Sequence, residues 1–266
     1  MKSVYYLLLL NILFFSTVNA QINNSDGFID YEFIHFYDTS NTSKVHKEIL
    51  RLYYNQNSAV YKSLSRAIFD STTKSNIEKS ALDNKLTNLN LGQLPTGSIE
   101  QFFTLNKRMQ TLTFRKFLKV NYLTIDSTTI NWTLHPDTLI ILGYRCQKAT
   151  CTFKGRSYIA WFSIEIPYSI GPWKLKGLPG IILKADDSKG HVSFQAKGIN
   201  TYNSVIDIKL PENPRYTTYK ELMNAIKVYR ENPNAIQSDG SINIEAKGNS
   251  ILKKTTKANN PVELTD

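Results

Sequence analysis

The sequence predicts a mainly β protein of β-dominant α+β type: a twisted antiparallel sheet or half-barrel with one helix in the C-terminal region. Three observations lead there. Short runs rich in aromatic and β-branched residues recur along the chain, separated by clusters of Asn, Asp, Gly and Pro. Only one segment combines a helix start signal with apolar residues at convincing helical spacing. Many short strands with one late helix indicate antiparallel pairing, and without internal repeats or a Pro- or Ser-rich linker, residues 21–266 read as one domain.

Residues 1–20 read as a secretory signal. Lys2 supplies the basic start, Val4 to Phe15 is almost all apolar, and Val18 and Ala20 stand in the −3 and −1 positions before Gln21. The apolar run is shorter than the ~20 residues that span a bilayer. With no cysteine near the cleavage point for a lipid anchor, the expected location is the periplasm or the exterior.

The strands follow in order. Gly27 to Tyr37 is the first, and Glu48 to Tyr54 with Ala59 to Leu64 forms a hairpin about Asn55-Gln56-Asn57-Ser58. Ser65 to Gly97 reads as a polar excursion with a short helix near Asn76 to Leu86. Strands resume at Gln101 to Leu105, Gln110 to Phe117 and Leu118 to Ile125. Asn131 to Leu134 and Leu139 to Cys146 are separated by His135-Pro136-Asp137. Ala149 to Phe153 and Ser157 to Ser163 flank the turn Lys154-Gly155-Arg156. Ile181 to Ala185 and Val192 to Lys197 make another hairpin, and Ser204 to Leu210 adds a strand. Thr218-Tyr219-Lys220-Glu221 is a capping box, with Leu222, Ala225, Ile226 and Tyr229 behind it and Asn232-Pro233 as the stop. Ser241 to Lys247 is strand-like.

The formal charge is +10, or +9 once Lys2 leaves with the signal, since 31 basic residues then face 22 acidic ones. The basic residues are scattered, densest at Lys253-Lys254 and Lys174/Lys176, with no run interleaved with aromatics, which argues against nucleic acid as a partner. Cys146 and Cys151 lie five residues apart in a stretch read as extended. Five residues rise ~17 Å and put the two side chains on opposite faces, whereas a disulfide needs Cα atoms within ~7 Å. Either the strand breaks between them or both are unpaired, and the geometry favours the second.

Motifs for chemistry are sparse. The four histidines, His35, His46, His135 and His191, form no metal-ligating pair, and the cysteine spacing is not that of a zinc site. Asp186-Asp187-Ser188 fits a solvated turn better than a calcium loop. No G-x-S-x-G elbow or phosphate-cradling loop is present. Cys146 is a candidate nucleophile with His191 as the base to test, set against the commoner buried, inert thiol. Arg156 is a candidate to bind an anion or to pair with Glu165. Asp30, Glu32 and Glu165 are the carboxylates near the central segments, without a spacing that singles out a pair. No catalytic residue, cofactor or metal is assigned.

The segment Gly143 to Asp187 is the least generic. It carries Cys146, Lys148, Ala149 and Thr150, then Gly155, Arg156 and Tyr158, Ala160-Trp161-Phe162, Ile166-Pro167, Gly171-Pro172-Trp173 and Gly177-Leu178-Pro179-Gly180-Ile181-Ile182. Asn260-Pro261-Val262-Glu263-Leu264 follows near the end. This pattern resembles the GLPGLI family, with Ile181 in place of the family's Leu and Cys151 where a small residue or Thr is expected. The strong part covers about 45 residues. The resemblance implies an exported protein of the Bacteroidetes envelope, often associated with outer-membrane transporter systems, and brings no catalytic residues.

Locally, Gly177, Leu178, Pro179 and Gly180 predict a structural turn: Pro179 at the first central position and Gly180 at positive φ, as in a type II turn. The loop Ile166 to Gly180 holds three prolines, three glycines and the aromatic surfaces of Tyr168 and Trp173. With Trp161, Arg156 and Trp132 it is the candidate ligand-binding region, the tryptophans forming one aromatic pocket or simply core. The function expected is therefore non-enzymatic: binding an apolar small molecule, lipid or peptide, or docking on an outer-membrane transporter. The alternatives are an envelope assembly factor and an enzyme with an unrecognised thiol or carboxylate site.

Overall fold

The computed structural model describes residues 24–72 apart from 42 and 70, residue 75, and residues 97–98, 100–105, 110–117, 120–201, 204–231 and 259–265. The helix expected near Asn76 to Leu86 and the strand-like Ser241 to Lys247 lie outside these residues. The strands are β1 (Asn24–Ser25), β2 (Gly27–Phe36), β3 (Val45–Tyr54), β4 (Ser58–Ser63), β5 (Glu100–Leu105), β6 (Gln110–Phe117) and β7 (Val120–Asp126). They continue with β8 (Thr133–Ile141), β9 (Tyr144–Phe153), β10 (Arg156–Ser163), β11 (Ile181–Asp187), β12 (Val192–Asn200), β13 (Ser204–Asp207) and β14 (Arg215–Tyr216), before a helix at Tyr219–Glu231. A short helical stretch, residues 64–69, follows β4. No described helix is long and apolar enough to cross a membrane.

Twelve strands form one open sheet in the order β14-β7-β6-β5-β4-β3-β2-β12-β11-β10-β9-β8, and β1 pairs separately with β13. Every pairing in it is antiparallel except that of β14 with β7. The sheet is thus two meanders, β2 to β7 and β8 to β12, joined along the single seam between β2 and β12.

This order dictates a strong curl. β7 and β8 are consecutive in the chain yet stand second and twelfth in the sheet. In a flat sheet ten spacings of ~4.8 Å would part them by ~48 Å. Asp126 and Thr133 are joined by seven residue steps, which reach ~25 Å at most. The two ends of the sheet must therefore bend toward each other, as the half-barrel expectation required, while the barrel stays open.

Period-2 alternation sorts the side chains onto two faces. One face carries Ile29, Tyr31, Leu50, Leu52 and Tyr61, packed with Trp173, Leu175, Leu178 and Phe194. The opposite face carries a smaller cluster of Tyr53, Val60, Phe103, Leu112, Phe114 and Leu123 with Ile208. The helix covers the first face at its far end, where Leu222 and Ile226, one turn apart, pack on Tyr122. Its predicted capping box is present: Glu221 N–H donates to Thr218 Oγ1 at 3.2 Å and Thr218 N–H donates to Glu221 Oε2 at 3.0 Å.

Two local expectations are corrected. The strands placed at Asn131 to Leu134 and Leu139 to Cys146 are instead β8 and the start of β9. β8 runs through His135-Pro136-Asp137 with an irregularity between Leu134 and Thr138, and the chain reverses at Leu142-Gly143. Proline is tolerated because β8 is the sheet edge, where a missing N–H interrupts no ladder on the open side. The positive-φ glycine of the signature is Gly177, at φ 95°, not Gly180. Gly180 is required for another reason: a Cβ there would collide with the Ser163 carbonyl group.

Candidate functional site

A cavity of about 270 Å³ lies on the face packed by the helix. Six neighbouring strands supply its floor: Phe194 of β12, Phe33 and His35 of β2, His46 and Leu50 of β3, Tyr61 of β4, Glu100 and Phe102 of β5, and Thr113 of β6. Register explains why these meet. Phe194 pairs with Phe33 and His35 with His46, while Tyr61, Phe102 and Thr113 form a continuous row across three strands. Its walls come from elsewhere: Trp173 from the loop between β10 and β11, Tyr219 from the helix, and Pro261, Val262 and Glu263 from the C-terminal strap.

The rings are ordered. Phe194 lies between Phe33, at 5.0 Å and 19°, and Trp173, at 6.2 Å and 9°. Tyr61 approaches Phe102 at 6.4 Å and meets Phe194 edge-on at 6.5 Å. Trp173 holds its place at φ 55°, in the left-handed region. It is the first central residue of a turn closed by Leu175 N–H donating to the Pro172 carbonyl at 3.1 Å. A bulky side chain at positive φ is an outlier that surrounding structure must maintain.

Charges at the site are matched. Arg115 binds Glu100 at 2.5 Å and Lys174 binds Glu263 at 2.7 Å. His46 meets Glu48 at 3.0 Å, and His35 Nε2 donates to the Asn260 carbonyl at 2.7 Å. Burial would raise the Glu48 carboxyl, but hydrogen bonds from His46, Ser63 and Ser98 outweigh it and bring it down to about 2. Burial lowers His35, against the opposing effect of its bond to Asn260, and so favours the neutral ring. Two hydroxyls on lining residues, Tyr61 Oη and Thr113 Oγ1, are buried and without a hydrogen-bond partner.

The residues singled out in the sequence do not converge. Trp173 alone lines the cavity. Trp161 sits on the outward positions of β10 opposite Lys148 and Lys184, and Trp132 donates its indole N–H to the Lys176 carbonyl at 2.9 Å. Tyr168 donates to Asp26 at 2.8 Å and its ring packs on Tyr54 at 4.6 Å. Arg156 is 4% exposed and occupied with protein groups. It donates to Asp187 at 2.6 Å, Asn260 Oδ1 at 2.6 Å, the Pro261 carbonyl at 2.5 Å and the Val262 carbonyl at 2.8 Å. Its partner is Asp187, not Glu165, which accepts the Arg145 N–H. Arg156 therefore fastens the strap that walls the cavity.

The thiol reading loses its geometry. Cys146 and Cys151 are both free and buried on β9. Burial pushes their thiols up, to about 11 and about 12, the opposite of activation. The recess beside Cys146 is lined by Pro136, Thr138, Arg145, Gln147, Phe162, Ile164 and Glu165, and has no histidine to act as base. Asp187 is engaged by Arg156 and by the His191 and Val192 amides. Among the described residues no group of three or more His, Cys, Asp or Glu is placed to hold a metal ion.

Comparison with known proteins gives one local family match and a likeness of fold. The family described as "Protein of unknown function (Porph_ging)" matches residues 152–184, the stretch from the end of β9 into β11. No curated protein matches the chain significantly. Among solved structures, the chain is similar to "Structure of PNGF-II in P21 space group", with TM-score 0.53 and 16% identity over 77% of this chain. A second structure, "Structure of PNGF-II in C2 space group", aligns with TM-score 0.49 and 14% identity over the same share. The chain spans a third of the length of those structures, 33% in each case, and the likeness at this identity concerns the fold alone.

Proposed function

We propose that this protein binds a small molecule, without catalysis, in the aromatic cavity between the sheet and the strap. The observation that carries this reading is Trp173, kept at φ 55° with its ring parallel to Phe194 on the cavity wall. Strain of this kind clusters at binding and catalytic sites. A volume of about 270 Å³ falls just under the ~300–1,000 Å³ of drug-sized ligand sites, so the ligand is small. Activated nucleophiles are absent from the cavity's lining, and its carboxylates are engaged by cations, which favours binding over chemistry.

The signal-like residues 1–20 support an exported protein, and the signature Gly177–Ile182, which lies inside the family match, supports the resemblance to the GLPGLI family. Native mass spectrometry tests the binding reading. The protein is isolated gently from its own cells, alongside a Trp173→Ala variant. An added mass present in the first and lost in the second supports the proposal. A bare polypeptide mass in both sinks it.

A further inference from the structure

The cavity's chemistry restricts its ligand further, on the reading that it is a binding site. Among its lining residues there is no Lys or Arg, although the chain carries 32 of them. The two lining glutamates are already neutralised, Glu100 by Arg115 and Glu263 by Lys174. No charged group of the lining is left to call for an ionic ligand, and burying an unpaired charge among six aromatic rings would be costly.

The polar demand comes from elsewhere. Tyr61 is 1% exposed and Thr113 is 5% exposed, and their hydroxyls have no partner in the protein. A buried hydroxyl without a hydrogen bond is unfavourable. The two residues flank Phe102 in one cross-strand row on the cavity's floor. A rotation of the Thr113 side chain or a small tilt of the Tyr61 ring presents either hydroxyl to a bound molecule. Beside this row, Phe33, Phe194 and Trp173 form a nearly parallel stack that Tyr61 meets edge-on.

We infer that the ligand is a neutral ring compound with hydroxyl groups on its edge, its ring packed among the aromatic side chains of the lining and its hydroxyls bonded to Tyr61 and Thr113. Sugars and phenols share this chemistry. The assignment differs from an apolar molecule or lipid, which would leave both hydroxyls unpaired.

The test is calorimetric titration of the full chain with size-matched probes. Methyl glucoside and p-cresol represent the two sources. Toluene, phenethylammonium and phenylacetate are the apolar, cationic and anionic comparators. The expected result is that a hydroxylated ring binds at least tenfold more tightly than any comparator, and which of the two binds identifies the source. Tyr61→Phe and Thr113→Val each weaken that binding about three- to tenfold, the loss of one hydrogen bond. The ligand-free variants melt no lower than the parent, because each removes a group that had no partner. Tightest binding by a charged probe or by toluene overturns the inference, as does undiminished binding by both variants. Probe binding that Trp173→Ala leaves unchanged defeats the cavity reading itself. Failure of both hydroxylated rings to bind overturns the inference alone when the native adduct is present.

Discussion

Arg156 donates to the side-chain oxygen of Asn260 at 2.6 Å across 104 residues of chain. The same guanidinium reaches two strap carbonyls, and Asn260 Nδ2 in turn donates to the Phe36 carbonyl. The strap is thereby tied both to the β9–β10 turn and to the end of β2. Arg156→Met leaves Asp187 buried without its cation, a change that costs about 3–5 kcal/mol in other buried pairs. The expected outcome in hydrogen exchange is loss of protection at the Asn260 and Leu264 amides before the sheet opens. Unchanged protection at those two amides would show that the latch lies elsewhere.

Trp173 inverts an ordinary ranking. Alanine normally exceeds glycine in stability by ~0.5–1 kcal/mol within regular elements. At φ 55° the order reverses, because only glycine adopts that backbone freely. Both Trp173→Ala and Trp173→Gly lose the ring's packing, and the alanine variant is expected to be the less stable by about 1 kcal/mol. Urea denaturation of the pair measures the difference, and equal midpoints would remove the strain argument.

Glu48 makes stability depend on acid. Its folded carboxyl is held down to about 2, below the ~4.3 of an unfolded glutamate. The stabilisation is complete above the unfolded value and drains away as the pH falls toward 2. The shift corresponds to roughly 3 kcal/mol, an order-of-magnitude figure for a largely buried group. Glu48→Gln should therefore lower the melting temperature at pH 7 and narrow its gap to the parent as the pH approaches 2. A gap that stays constant from pH 7 to pH 2 contradicts the assignment.

Gly177 and Gly180 separate two demands on glycine. Gly177→Ala forces a side chain into the left-handed region, for about 1–2 kcal/mol. Gly180→Ala drives a methyl into the Ser163 carbonyl and must move backbone, for about 1–3 kcal/mol or more. The second variant should also disturb amide shifts at Ser163 and Ile164, whereas the first should not.

The cysteines should be silent. With thiols raised to about 11 and about 12 and both side chains buried, neither is a thiolate at neutral pH. Iodoacetamide is expected to label Cys146 and Cys151 only after denaturation. Rapid native labelling of Cys146 would reopen the thiol chemistry.

The hairpins were legible because turn chemistry is local: Asn55 closes one turn by accepting the Asn57 and Ser58 amides, and Gly155 takes φ 74° in another. The reversal at Leu142-Gly143 was hidden because Leu142, a residue with no turn preference, occupies φ 50°. Trp173 was legible as a candidate from its Pro- and Gly-rich loop. Tyr61 and Thr113 were not, since what brings them together is register across β4, β5 and β6, and residues 64–99 intervene between the first two. Arg156 was recognised as important, but its role depends on Asn260, and no local pattern announces a partner 104 residues away.

The seam between β2 and β12 carries a consequence for how the chain reaches this state. Each meander is built largely of hairpins between neighbours in sequence, which form on microsecond timescales in isolation. The seam joins residues such as Phe33 and Phe194, some 160 positions apart, and comes late and slowly because its loop closure precedes any reward. Until then each half carries a bare edge strand. Cleavage of the backbone between residues 127 and 132, after β7, would leave two fragments whose exposed edges are each other's complement, and the cavity would exist only once they had zipped together in register.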